Sequence, residues 1–274
     1  MDILPSLVCN GYDIVLEKAF SATTLENNYE SLAIRITDKE RSNYYTDTIA
    51  ENWMKCNPFG YGRWFFNAAD VSTLRKSMML SEAVNPVPKY SKEKLPLQRV
   101  VQILKRHRDI MFNGDEHKPI SIIITTLASR AYDKETSIID ALANVVANMK
   151  NYIESRYDPN TGKIVKWIPN PVNPEENFAD KWVEYPQREK NFYRWLDQAE
   201  SDIQAIVQKR GLQYIAEAMK KPFGEQAVTK TFSTLGDRNR NLRESGVLKM
   251  AAGTGILSSV GSVTTAAHNF HGND

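Results

Sequence analysis

The sequence predicts an α+β fold, with strands first and helices after. Three observations carry that prediction. Residues 1–40 hold β-branched and apolar runs, IVLEKAF and SLAIRIT, separated by the polar stretches NGYD and LENNYE. Beyond residue 95, apolar residues recur at helical spacing in long segments. Between the two regions, Asn85-Pro86-Val87-Pro88 breaks any regular element and marks a boundary. The 274 residues are 42% hydrophobic and 25% charged, enough apolar material for a sizeable core.

Composition also excludes several classes. The formal net charge is +2, so bulk electrostatics argues for neither a nucleic-acid nor a membrane partner. Cys9 and Cys56 are the two cysteines. Neither has a CxxC partner or a histidine at metal-ligand spacing, and both read as reduced thiols. No leader-like run opens the chain, and no stretch approaches the ~20 apolar residues of a membrane span. The expected location is the cytoplasm.

The elements follow in order. Residues 47–80 read as helical and aromatic-rich, with Trp53, Tyr61, Trp64, Phe65 and Phe66. In LPLQRVVQILKRHRDIMF, Leu97, Val100, Val101, Leu104 and Met111 share one helix face, and Pro96 suits the first turn. The opposite face carries Gln98, Gln102, Lys105 and Asp109. NGDEHK is a loop. ISIIITTLASRAY is β-branched, but Ile120, Ile123, Ile124, Leu127 and Ala131 fit a buried helix, with Pro119 in a first-turn position. A further helix is expected over 137–152. Residues 158–180 hold four prolines and read as an ordered loop with at most a short hairpin. A helix is clear over 187–209, where Phe192, Trp195, Leu196, Ala199, Ile203 and Ile206 form an apolar face. FGEQAVTKTFSTLGDRNRNLRES gives another. The last segment, rich in Gly, Ser and Thr, reads as a flexible tail.

Two places invite chemistry. Lys105 lies near Arg99, Arg106, His107 and Arg108 in sequence, and a solvated basic face is the ordinary explanation of such a run. The alternative is an anion site, with Lys105 as a point charge and Ser121 in the first turn of the next helix, where backbone N–H groups are unpaired. The other place is Asp2, an acid inside the apolar run MDILPSL. Asp is a poor strand residue, and a buried charge is costly unless something pairs with it. Glu175, Glu176 and Asp180 could bind a metal, but a structural loop is the favoured reading of NPVNPEENFADKW.

DILPSL, ITDKE, NPFGYGRWF, LPLQRVVQILKRHRD, KPISIIITTLASRAY, NPVNPEENFADKW and the RESGVLKMAAGTGIL…HNFHG ending run in order along nearly the whole chain. Together they resemble the bacterial cGAS/DncV-like nucleotidyltransferases, which make cyclic di- and oligonucleotide signals in anti-phage defence. The resemblance implies an incomplete nucleotidyltransferase palm over residues 1–85, a helical nucleotide-contacting domain over 86–245 and a flexible tail over 246–274. It implies attack of a ribose hydroxyl on the α-phosphate of an NTP, with Mg²⁺ or Mn²⁺ as cofactor. Asp2 matches the third acid of the family's metal site, and so a catalytic residue and metal ligand. Lys105 and Ser121 match residues that contact the donor triphosphate. Arg35 is carried over as a residue reaching a base or phosphate. The implied partners are NTPs, ATP and GTP among them, and an operon-encoded regulator or ubiquitin-transfer-like enzyme at the C-terminus; no membrane or specific nucleic acid is expected.

The resemblance also implies a Gly-Ser loop and a D-x-D strand ahead of the DILPSL strand. No such pair follows Asp2. The expectation is a chain that starts inside the palm and is inactive alone. A non-catalytic nucleotide- or protein-binding module stands as the alternative. Incubation with all four NTPs and Mg²⁺ or Mn²⁺ is therefore expected to give no cyclic product above a blank in chromatography; a robust product would overturn that expectation.

Overall fold

The computed structural model describes residues 6–7, 29–39, 41–71, 94–159, 162–247, 249–250, 257–258 and 263–264. Asp2, Cys9, the strand expected at IVLEKAF and the boundary at Asn85–Pro88 lie outside these residues. The fold is α+β. It divides into two compact units, Met1–Val207 and Gln208–Asp274.

In the first unit, β1 (Ser6–Leu7), β2 (Ile34–Ile36) and β3 (Met54–Cys56) form an antiparallel sheet in that order. Ser6 pairs with Ile36, and Arg35 pairs with Lys55. Side chains alternate across a strand. Ile34 and Ile36 therefore share one face, where they form a small core with Leu32, Cys56 and Phe59, and Arg35 points to the other.

Residues 47–57 correct the helical reading of that stretch. The Asp47 carboxylate accepts from Asn43 Nδ2 (2.9 Å), the Ile49 backbone N–H (3.0 Å) and Asn52 Nδ2 (3.3 Å). Such local bonds offer the backbone an alternative to a helix, and β3 follows instead. Helix α1 (Pro58–Ala69) then starts on Asn57, whose side chain accepts from the Gly60 N–H at 2.9 Å. A Cβ on Gly60 would collide with that capping side chain.

The helices α2 (Pro96–Phe112), α3 (Ser121–Ala131), α4 (Ile138–Asn148) and α6 (Pro186–Val207) build the main core, with the short α5 (Lys181–Glu184) beside α6. Each of the four longer helices lies where its apolar period predicts. Asn113, in the left-handed conformation (φ 42°), ends α2. Ile120 precedes α3, so Pro119 sits one residue further out than a first-turn proline. Ser137 caps α4, which tightens into a 3₁₀ turn over Met149–Tyr152. Leu97, Val100 and Leu104 of α2, Ile124 and Leu127 of α3, Val145 of α4 and Phe192 and Trp195 of α6 are fully buried. Polar bonds lock α2 to α6 through this core: the Trp195 indole N–H donates to His107 Nδ1 (3.1 Å), and His107 Nε2 faces Asp202 Oδ2 at 3.0 Å.

Where a proline-rich loop with at most a short hairpin was expected, the chain folds into two hairpins. β4 (Glu154–Asp158) pairs with β5 (Lys163–Trp167), and β6 (Pro169–Asn170) pairs with β7 (Asn173–Asn177). Asn177 holds them together. Its Oδ1 accepts from the Ile168 and Ala179 N–H groups (2.8 and 2.9 Å), and its Nδ2 donates to the Lys166 carbonyl (2.9 Å).

The second unit contains α7 (Leu212–Phe223), which sequence reading missed, and α8 (Glu225–Glu244), which it predicted. Gly224, at φ 92°, makes the turn between them. β8 (Lys249–Met250), β9 (Leu257–Ser258) and β10 (Val263–Thr264) pair antiparallel in the order β10-β8-β9, inside the stretch read as a tail.

Leu104 is fully buried between helices. Leu104→Ala is expected to lower stability by about 2–5 kcal/mol in urea unfolding. Ile164, 76% exposed on β5, is the control: Ile164→Thr should change stability by less than about 0.5 kcal/mol. Equal losses would contradict the assigned core.

Candidate functional site

Two features within the first unit bring candidate residues together. The first is a cleft of about 560 Å³ between the β2–β3 face, the start of α3 and the loop from β7 to α5. Arg35 and Lys55 line it from the sheet. They are direct cross-strand partners, and like charges so placed repel. Arg35 NH1 also donates to the Trp53 carbonyl at 3.0 Å, which fixes its direction. Glu175, Glu176 and Asp180 line the opposite wall. Asn170, 6% exposed, holds Glu176 in place by donating from Nδ2 to Oε2 at 2.8 Å. In the core behind the cleft's sheet wall, burial raises the pKa of the Cys56 thiol, and the Glu176 charge adds to the shift.

The second feature is the junction of α2 and α3. Lys105 is half-buried on α2 and makes no hydrogen bond or ion pair among the described residues. Its pKa is lowered, chiefly by burial and further by Arg108 one turn on. Arg108 is itself buried. Its Nε and NH2 donate to Asp109 Oδ1 (2.9 Å each), and its NH1 donates to the Pro119 carbonyl (2.8 Å) and to Ser121 Oγ (3.1 Å). Ser121 is the first residue of α3 and is exposed. The flanking residues Ile120 and Ile122 line the cleft, so the helix start joins the two features.

The predicted residues are therefore placed as follows. Arg35 lies in the cleft. At the junction beside it, Ser121 is bonded to Arg108, and Lys105 lies one helical turn from Arg108. Sequence reading took Arg108 as one more basic residue of the run and Lys55 not at all. The three-residue spacing from Lys105 could have found the first, and the alternation in Met54-Lys55-Cys56 the second. Asp2 lies outside the described residues, and no group of three potential metal-ligating side chains occurs among those described. Nor is any helix among them long and apolar enough to cross a membrane.

The lowered pKa of Lys105 has a thermodynamic consequence. Between the lowered value and the ordinary one, the unfolded chain binds more protons than the folded chain, so stability rises with pH there. Lys105→Met removes that rise. The variant should gain on the wild type at neutral pH, and the gain should shrink as pH climbs into the lysine range. Urea melts at a series of pH values measure this; identical slopes for both proteins would contradict a half-buried, uncompensated charge.

Comparison with known proteins adds a relative. No protein-family model matches the chain. A c-di-GMP synthase from Roseivirga ehrenbergii is 32% identical over 230 residues, covering 83% of this chain and 60% of that protein. The chain thus spans about three fifths of the length of this relative. A solved structure of the Bradyrhizobium diazoefficiens CD-NTase CdnG in complex with GTP aligns with a TM-score of 0.48 at 18% identity, covering 68% of this chain and 58% of that one. Over the residues it shares with the synthase, the chain's similarity agrees with the resemblance to the cGAS/DncV-like nucleotidyltransferases that its motifs carry.

Proposed function

We propose that the chain holds a nucleoside triphosphate for nucleotidyl transfer in cyclic dinucleotide synthesis, with GTP as the first substrate to test. The observation that carries this reading is Lys105. It is a half-buried cation without an ion pair among the described residues, one helical turn from the buried Arg108, which in turn donates to a serine at a helix start. Of these two cations only Arg108 is bonded to an acid, Asp109, so a positive excess remains that an anion relieves. The unpaired N–H groups at the start of α3 add partial positive charge of the same sense.

In this reading Lys105 supplies a point charge to the donor phosphates, and Ser121 supplies a hydroxyl donor. Arg35, facing the cleft with Lys55, contacts a phosphate or a base. The reaction is attack of a ribose hydroxyl on the α-phosphate, with pyrophosphate leaving. The chain's own contribution is to fix the donor phosphates, so that attack meets a fixed target. Asp2 is the family counterpart of a metal-binding acid. A divalent ion bound there would supply neutralisation of phosphate charge. A role in anti-phage signalling and a ubiquitin-transfer-like partner at the C-terminus belong to the same proposal.

Calorimetric titration with GTP and with ATP tests the phosphate site without catalysis. A charge-assisted hydrogen bond contributes about 1.5–3 kcal/mol, so Lys105→Ala should weaken binding about ten- to a hundredfold at low salt. Arg106 lies about 100° around the helix. Arg106→Ala should do much less, and added salt should narrow the gap. Equal effects at positions 105 and 106 would return the run to a solvated basic face.

A further inference from the structure

We infer that Arg108 is a positioning residue for the donor-phosphate site: by donating to Ser121 Oγ, it turns the serine's O–H outward, toward a phosphate oxygen. The inference rests on the reading of Lys105 and Ser121 as phosphate holders. It adds a residue that touches no phosphate itself.

A guanidinium has five N–H donors and no acceptor. Ser121 Oγ therefore accepts in its 3.1 Å contact with Arg108 NH1. Its own hydrogen is left over, and the exposed side chain faces the open side of the junction. The donor is held with little freedom. Arg108 is 7% exposed, and Asp109 Oδ1 takes Nε and NH2 while the Pro119 carbonyl takes NH1 alongside Ser121. With NH1 shared between Pro119 and Ser121, the guanidinium fixes both the chain entering α3 and the first side chain of the helix. A serine hydroxyl alone rotates freely among its rotamers. Tied to Arg108, it keeps one lone pair inward and its hydrogen toward the ligand.

Charge points the same way. Lys105 and Arg108 lie one helical turn apart on the same face. The acid bonded to Arg108, Asp109, is exposed and also lies 3.7 Å from Lys118 Nζ. An anion with several acceptor oxygens matches this set: one oxygen for the Lys105 ammonium, another for the Ser121 hydroxyl. The chemical class is an oligophosphate.

A double-mutant cycle on the full chain tests the role, with inorganic tripolyphosphate as probe because it has no base. Ser121→Ala and Arg108→Lys, which keeps the charge but loses the fork, should each weaken binding roughly five- to tenfold. Combining them should weaken it no further, because Arg108 acts through the hydroxyl. Ser121→Thr, which retains the hydroxyl, should restore affinity to near that of the wild type. Because Arg108 is buried and its replacement can unfold the chain, a second measurement leaves it in place. Tripolyphosphate should shift the Arg108 guanidinium N–H signals in the NMR spectrum of the wild type, and Ser121→Ala should abolish that shift. Additive losses in the cycle, or Arg108 signals that ignore the probe, overturn the positioning role alone. A wild-type chain that binds neither tripolyphosphate nor GTP overturns this inference and the proposed function together.

Discussion

The buried guanidinium of Arg108 sets terms that its surroundings must meet. An unpaired charge in a protein interior is costly, so every N–H that it buries needs an acceptor. Asp109, Pro119 and Ser121 provide them. Meeting that demand fixes the turn from α2 to α3 and the point at which α3 begins. The Ile120 and Ile122 flanks of the cleft are placed as a by-product. The apolar side of α2 fits the same picture. With Leu97, Val100 and Leu104 fully buried, the helix cannot rotate to relieve the polar side. The Trp195–His107–Asp202 chain holds it from α6.

The cleft is a place where local electrostatic comfort is given up. Arg35 faces Lys55 across the sheet, and Lys105 sits beside Arg108. Natural sequences settle most such conflicts, and those that persist concentrate at working sites. The facing wall carries Glu175, Glu176 and Asp180, so the cleft is asymmetric, basic along the sheet and acidic along the loop. A molecule with an anionic end and a donor-rich end would enter such a space in one orientation.

The long helices were legible because their signal is redundant. In α2 and α6, many apolar positions repeat the same period, and burial follows it at Leu97, Val100, Val101 and Leu104 and at all six predicted positions of α6. The hairpins over 154–177 were not, because what builds them is not periodic. Asn170 and Asn177 satisfy backbone groups with their side chains, and four prolines obscure the strand pattern. Met54–Cys56 was read as helix for a similar reason: the Asp47 network that redirects the chain depends on side-chain geometry. At the site, pattern offered Lys105 and Ser121 only as an alternative to a solvated basic face, and the resemblance added weight to them and supplied Arg35. Arg108 was hidden because its importance is a matter of burial, and a basic run does not say which of its members turns inward.

Asn177 has one more consequence. The groups it binds lie at residues 166, 168 and 179, so the turns of the acidic wall are tied by contacts close in sequence, while Arg130 NH2 joins the wall to α3 through the Pro169 carbonyl at 2.8 Å. Closing short loops costs little chain entropy and happens quickly. The sheet wall is different: Asn57 Nδ2 must find the Tyr29 carbonyl, 28 residues away. The turns on one side of the cleft can thus close early in folding, while the other side waits for more distant pairings.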